Sequence, residues 1–323
     1  MTTIDTRHRG SLGRSDGLAR LNRARRRREA RVGWAFVAPF AAVFALCFVL
    51  PIVLSVKASF YRPMPRGGGL YGGGGLVDTF VGGENFAQVL GNGQLWSGLG
   101  RVLLFGAFQI PVMIGGALAL ALLLDSLLVR RVALYRLGYF LPFAIPGVVA
   151  ALVWTYMYSP HLSPINQGLG VFGLHLDFFT PGTILGSMAN MTTWTFTGYN
   201  MLIFLAALQA IPGDLYEAAR LDGASEWTIV RRIKVPLVAR ASTLAVLLSI
   251  IGTIQLFNEP TVLAAVNPWM GKAYTPMMMA YNSMTGGVSP SGSGPASAIS
   301  IVMAGGAGLL AAVYAVLTGR SAQ

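Results

Sequence analysis

Six stretches of this chain, residues 33–56, 102–124, 137–158, 183–211, 241–266 and 296–318, are continuously apolar, and each is at least 22 residues long. A helix needs about 20 such residues to cross a hydrocarbon core about 30 Å thick. Five of the stretches carry no formal charge, and the fifth in order carries one, Glu259. Backbone in lipid must satisfy its own hydrogen bonds, and the period-two alternation of a membrane barrel is missing, so the runs read as helices. The pattern predicts an all-α fold, a polytopic membrane helix bundle of six transmembrane helices. Between the fourth and fifth runs lies a stretch of different character, "YEAARLDGASEWTIVRRIKVPLV" at 216–238, the most charged segment in the second half of the chain.

Composition agrees with the pattern. Charged residues make up only 11% of the 323 residues and hydrophobic ones 54%, against roughly 25% charge in soluble domains. The net charge of +12 would suit nucleic acid, but its placement points elsewhere. Ten of the 24 Lys and Arg residues precede residue 32, three lie in the 125–136 connection, five in the 212–240 connection and one at the C-terminus. The alternate connections hold five: Lys57, Arg62, Arg66, Arg101 and Lys272. By the positive-inside rule both termini are cytoplasmic. Residues 1–31 read as a basic, disordered tail that sets topology and meets anionic lipid, and residues 32–323 as the six-span domain. The first apolar run is too long for a signal peptide and no small-residue cleavage site follows it. Cys47 is the single cysteine, so no intramolecular disulfide is possible, and its midspan place suggests packing. Gly-rich outer connections such as 65–75 hold no GxxxxGK[ST] phosphate loop.

The charged segment has its own local logic. "IPGD" halts the fourth span, Asp214 is placed to cap a new helix with Glu217 three residues on, and Gly223 supplies a left-handed exit. Ser225 caps a second short helix that Pro236 stops. Leu215, Ala218, Ala219 and Asp222 share a face that is largely small, suited to a close partner. The spacing leaves several readings open: a loop packed on its own bundle, a docking element, or a DNA-reading helix–turn–helix with Arg231, Arg232 and Lys234 as its cations. Both ends run straight into spans, which rules against entry into a DNA groove.

Residues 217–236, "EAARLDGASEWTIVRRIKVP", match the EAA signature of ATP-binding-cassette importer permeases, with Glu217, Ala218, Ala219, Gly223, Ile233 and Pro236 at the matching positions. The likeness extends through "PFAAVFALCFVLPIVLSVKASFY" (39–61), "YFLPFAIPGVVAALVWTYMYSP" (139–160), "INQGLG" (165–170) and "QLFNEPTVL" (255–263). The chain resembles the carbohydrate-uptake type, in particular the first permease subunit of maltose and glycerol-phosphate systems. That resemblance implies a MetI-like permease fold in a bacterial inner membrane. It also implies a second permease subunit, an ATPase dimer that carries ATP and Mg, and an extracytoplasmic solute-binding protein, with no cofactor on this chain itself. The loop at 212–237, with Glu217, Ala218, Ala219, Arg220, Asp222, Gly223 and Ala224, would be the coupling helix seated on the ATPase. The chain departs from the maltose subunit in its Gly run and in lacking that subunit's long outer domain.

For a sugar, aromatic faces combined with amides or a carboxylate are expected, because hydroxyls need partners and pyranose C–H faces stack on rings. Trp154, Trp194, Tyr199, Asn200, Gln255, Asn258 and Glu259 are the in-membrane candidates, with Tyr156 more in the manner of an interfacial anchor. Glu259 stands out because an ionisable group in a span is costly and normally faces a cavity, and Pro260 beside it breaks helical bonding. The spans offer no His, no Lys and one carboxylate, which speaks against an enzyme. A non-sugar solute, such as a phosphodiester or amino acid, and an ion-coupled secondary transporter remain as alternatives.

Overall fold

The structure, a computed structural model, describes residues 26, 29–65, 76–126, 130–160 and 162–320. Most of the basic tail, the Gly run at 66–75 and His161 lie outside the described residues. The chain divides into two compact units, Met1–Lys57 and Ala58–Gln323.

Helix α1, Glu29–Ser59, carries the first apolar run and loosens into one π turn at Ala45–Val49. Phe40, Phe44 and Phe48 stack four residues apart along one side, with centroids 6.0 and 5.3 Å apart. Among the described residues of its unit, α1 has no second helix to pack against. Cys47 is accordingly exposed, not packed as its midspan position suggested.

Among the described residues the regular structure of the second unit is helical apart from a two-stranded antiparallel ribbon, β1 (Tyr61–Pro65) and β2 (Leu76–Phe80), with Tyr61 opposite Phe80. The hydrophobic pattern did not reveal this ribbon, because two five-residue strands, one with two prolines, carry almost no periodic signal. It is held to α2 (Glu84–Leu90) through Arg62, whose guanidinium donates to Asn85 at 3.0 Å and Glu84 at 3.1 Å. Buried Asn85 donates in turn to the Ser59 and Tyr61 carbonyls at 2.8 and 2.9 Å.

The long helices α3 (Gly93–Leu124) and the later α7 (Ile184–Gln209) pack through Ala117, Ala121, Met201, Phe204 and Leu205, small residues on one helix receiving large ones from the other. The third apolar run is not one straight helix. It divides into α4 (Val132–Phe140), a 3-10 turn at Leu141–Ala144 and α5 (Gly147–Tyr158), bent by 97°. Apolarity alone hid this break, but "LPFAIP" contains its cause: Pro142 and Pro146 donate no N–H, and Ile145 before Pro146 is forced into an extended conformation. Where α4 crosses α7, a Cβ on Gly198 would overlap the Tyr139 carbonyl, so the crossing depends on glycine.

After α6 (Pro164–Gly170) and α7, the charged segment folds as α8 (Asp214–Leu221) and α9 (Glu226–Ile229). A π turn at Val230–Lys234 then leads without a stop into α10 (Val235–Ile254). Pro236 therefore does not end the second short helix. The Val235 N–H reaches back five residues to Val230, and this wider turn accommodates the donor that Pro236 lacks. The fifth run breaks once more at 255–257 before α11 (Asn258–Val266), and α12 (Pro276–Met284) and α13 (Ser293–Arg320) complete the unit. Among the described residues four helices are long and apolar enough to cross a membrane, or six if each bent pair serves as one span.

Candidate functional site

The break between α10 and α11 opens a cavity of about 400 Å³, within the range usual for small-ligand sites. Its walls come from α3 (Phe105, Gln109, Met113), the 3-10 turn (Phe143), α7 (Thr192, Phe196, Tyr199, Asn200), α10 (Ser249, Thr253) and the unwound segment with the start of α11 (Gln255 to Glu259). A discontinuous helix at membrane depth is tolerated where it lines a cavity, because its freed backbone groups find partners there. One such carbonyl, Leu256, accepts the Thr275 hydroxyl at 3.0 Å. Gly147 at the start of α5 leaves room for Asn258, since a Cβ there would lie 2.7 Å from the Asn258 amide nitrogen.

Five of the seven in-membrane candidates meet here: Tyr199, Asn200, Gln255, Asn258 and Glu259. Tyr199 stacks on Phe143 with centroids 4.7 Å apart, and Phe143 meets Phe196 edge-on at 5.7 Å, making an aromatic wall. Asn200 is largely spent on packing: it is buried and its amide donates to the Phe196 carbonyl at 3.0 Å. Glu259 accepts a long hydrogen bond, 3.4 Å, from the Thr192 hydroxyl and is within reach of its own backbone N–H. Among the described residues lining the cavity it is the one carboxylate, and no Lys, Arg or His stands with it. A carboxylate so placed keeps acceptor capacity to spare.

Trp154 and Trp194 lie outside this cavity. They touch each other edge-on at 5.7 Å, and each lines a separate groove, Trp154 with Tyr158 and Phe178, Trp194 with Tyr139 and Gly198. Tyr156 is exposed on α5. Sequence reasoning passed over Gln109, Phe143, Thr192, Phe196, Ser249 and Thr253. Gln109 could have been found, since it is the only side chain with a polar group in its apolar run. Among the described residues no cluster of His, Cys, Asp and Glu is placed to hold a metal.

The second feature is the helix pair α8–α9. Residue 213 takes the N-cap position and no side chain caps the helix, so Asp214 sits in the first turn and the predicted Asp214–Glu217 capping box does not form. Asp214 and Glu217 act there on the helix dipole instead. The exit is a Schellman motif: Gly223 at φ +80° places its N–H on Arg220 O at 3.0 Å and the Ala224 N–H on Ala219 O at 2.9 Å. Ser225 caps α9 as expected, accepting from the Thr228 N–H at 3.3 Å. Arg220 holds Glu226 at 2.9 Å and so ties the two helices. Glu217, Ala218, Asp222 and Gly223 are exposed, as are Leu221 at 89% and Trp227 at 71%, while Ala219 and Ala224 are half-buried.

Broken helices lining a cavity inside a unit of long apolar helices are the geometry expected of a membrane transport subunit. Residues 112–322 match the family described as "Binding-protein-dependent transport system inner membrane component". The chain belongs to that family, whose members are ABC-transporter permeases, non-catalytic membrane subunits. It is 32% identical over 231 residues to the lactose transport system permease protein LacF of Rhizobium radiobacter, covering 70% of this chain and 74% of that protein. To the trehalose/maltose transport system permease protein MalF of Thermococcus litoralis it is 29% identical over 261 residues, covering 79% and 84%. Among solved structures, a bacterial ABC transporter involved in the import of the acidic polysaccharide alginate matches with a TM-score of 0.73 at 19% identity, covering 93% of this chain and 99% of that one. That last likeness concerns the fold.

Proposed function

We propose that this chain forms half of the translocation path of an ATP-driven sugar importer, paired with a second permease subunit and fed by an extracytoplasmic solute-binding protein. An ATPase dimer carrying ATP and Mg docks on α8–α9, with Glu217, Ala218, Ala219, Arg220, Asp222, Gly223 and Ala224 forming the contact and both chain termini on the same, cytoplasmic side. The observation that carries this reading is the helix pair itself, closed by Gly223 and Arg220–Glu226, with Leu221 and Trp227 left exposed by the described residues. An eight-residue helix such as α8 is too short to be stable without tertiary partners.

A mono- to oligosaccharide as cargo is supported by the sugar-transport names of the relatives and by the cavity's chemistry: an aromatic wall from Phe143, Phe196 and Tyr199 beside Gln255, Asn258 and Glu259. Rings face the sugar's C–H surface while the amides and the carboxylate take its hydroxyls. Closure of the ATPase moves α8, and through it the helices around the cavity, so that access alternates between the two sides. The test is the transporter purified with its co-expressed partner subunits and reconstituted in vesicles, assayed for ATP hydrolysis against a panel of neutral saccharides. Stimulation by a saccharide, with uptake, is the expected result. Failure of any ATPase to co-purify, or uptake driven by an ion gradient without ATP, would overturn the reading.

A further inference from the structure

Where the charged segment rejoins the membrane helices, an ion pair is largely buried in the protein. Lys234 Nζ lies 2.6 Å from Asp125 Oδ2, and the two side chains are only 11% and 16% exposed. They come from distant parts of the chain. Asp125 is the C-cap of α3, and Lys234 is the last residue of the π turn that opens α10. The π turn explains the inward placement: one extra residue per turn rotates the following face by roughly 100° relative to a regular helix. The face that turns inward carries Lys234 and Val238, both buried.

A third element joins them. The ring of Tyr216, on α8, stands 5.1 Å from the Lys234 ammonium, within cation–π range. Burial, and secondarily the negative charge of Asp125, raises the Tyr216 phenol above its ordinary value. Its hydroxyl is buried and finds no hydrogen-bond partner among the described residues. A polar atom left in that state calls for an explanation beyond packing, and an element that rearranges is one.

The three helices meeting here are the ones the proposed mechanism must connect. α8 is the docking helix, while α3 and α10 both line the cavity, through Gln109 and Met113 and through Ser249 and Thr253. A charge pair withdrawn from water is stiff and intolerant of separation, because each partner left alone would be a buried, uncompensated charge. We propose that Asp125 and Lys234, with Tyr216 packed over the ammonium, form the joint that passes movement of α8 to the cavity-lining helices α3 and α10. They are positioning residues and touch neither solute nor nucleotide. This inference rests on the reading of α8–α9 as the ATPase dock.

The experiment uses the whole transporter with its partner subunits and compares three variants with the parent: Asp125→Ala, the neutral pair Asp125→Asn with Lys234→Met, and the exchange Asp125→Lys with Lys234→Asp. Two quantities are read in each: ATPase co-purified per permease, and the ratio of saccharide-stimulated to basal ATP hydrolysis. Asp125→Ala strands a buried cation, and reduced membrane yield is expected. The neutral pair strands no charge, so assembly and basal hydrolysis stay at parental levels while the stimulation ratio falls about tenfold. The exchanged pair returns the ratio to within about twofold of the parent. An assembled neutral pair with parental stimulation overturns the joint, and so does an assembled exchange variant no better than the neutral pair. Failure of the parent itself to hold an ATPase instead sinks the docking reading beneath it.

Discussion

The cavity and the α8–α9 pair are inversions of one another. In the cavity, polar side chains sit at membrane depth, with Glu259 taking only a long hydrogen bond from another side chain, that of Thr192. In the helix pair, Leu221 and Trp227 stand exposed in a polar segment. Each group is in the wrong solvent for the isolated subunit, and each placement becomes favourable only when something arrives. The two differ in how they are built. The cavity is assembled from four stretches far apart in sequence, whereas the helix pair is shaped by contacts within about 25 consecutive residues, by a Schellman turn, a Ser cap and one ion pair. Damage to the first should therefore spread through tertiary structure, and damage to the second should stay local.

The largest effect is expected at Glu259. Replacing Glu259 by Gln removes a charged acceptor worth roughly 1.5–3 kcal/mol to a bound hydroxyl, so uptake should fall about 10- to 100-fold while ATPase co-purification is unchanged. Vesicle uptake together with a pull-down measures both, and parental uptake in the variant would remove Glu259 from the path. Next come Leu221→Ser and Trp227→Ser. Both side chains are exposed, so thermal unfolding of the permease alone should barely move, whereas ATPase association should weaken by about 2 kcal/mol for the tryptophan and less for the leucine. A titration of ATPase against immobilised permease reads this, and equal loss of permease stability would erase the contrast with the cavity.

Gly223 separates backbone from contact. No atom lies within 4 Å of where its Cβ would point, but φ is +80°, so Gly223→Ala and Gly223→Leu should each cost the isolated subunit about 1–2 kcal/mol of strain. Only the leucine should further impair ATPase assembly; if alanine and leucine behave alike in the assembled transporter, nothing docks against that turn. The smallest effect belongs to Arg220→Ala. The Arg220–Glu226 pair is 48% and 70% exposed, and its loss should cost at most about 0.5–1 kcal/mol and vanish in high salt. Thermal unfolding at low and high ionic strength is the check.

Sequence reading was most successful where the structure is most local. The exit at Gly223 and the cap at Ser225 were legible because each depends on one residue and its immediate neighbours. The capping box was misread because Pro212 and Gly213 give the chain a choice of cap, and the glycine takes it. Pro236 was read as a stop because a regular helix cannot absorb it, yet one π turn can. The β1–β2 ribbon escaped because it is too short to show a period. Half of the cavity's polar wall was foreseen, as amides and an acid in a span are conspicuous. Hydroxyls such as Thr192 and Thr253 were not, since most Ser and Thr in the helices simply bond back one turn, as Thr192 itself also does to Met188 at 3.1 Å.

Hydrophobic runs and charge asymmetry are properties of the chain against its solvents, and they alone made this a polytopic helical membrane protein, because lipid leaves a backbone no other way to satisfy itself. The EAA segment carried the family for the same reason: its shape is written in neighbouring residues. What only the tertiary structure decided is company. It turned Trp154 and Trp194 away from Tyr199, placed Gln109 and Thr192 beside Glu259, and brought Asp125 to Lys234 across more than a hundred residues. Such pairings depend on where helices cross and where a proline or a π turn rotates a face, and no pattern read along one strand of sequence contains those angles.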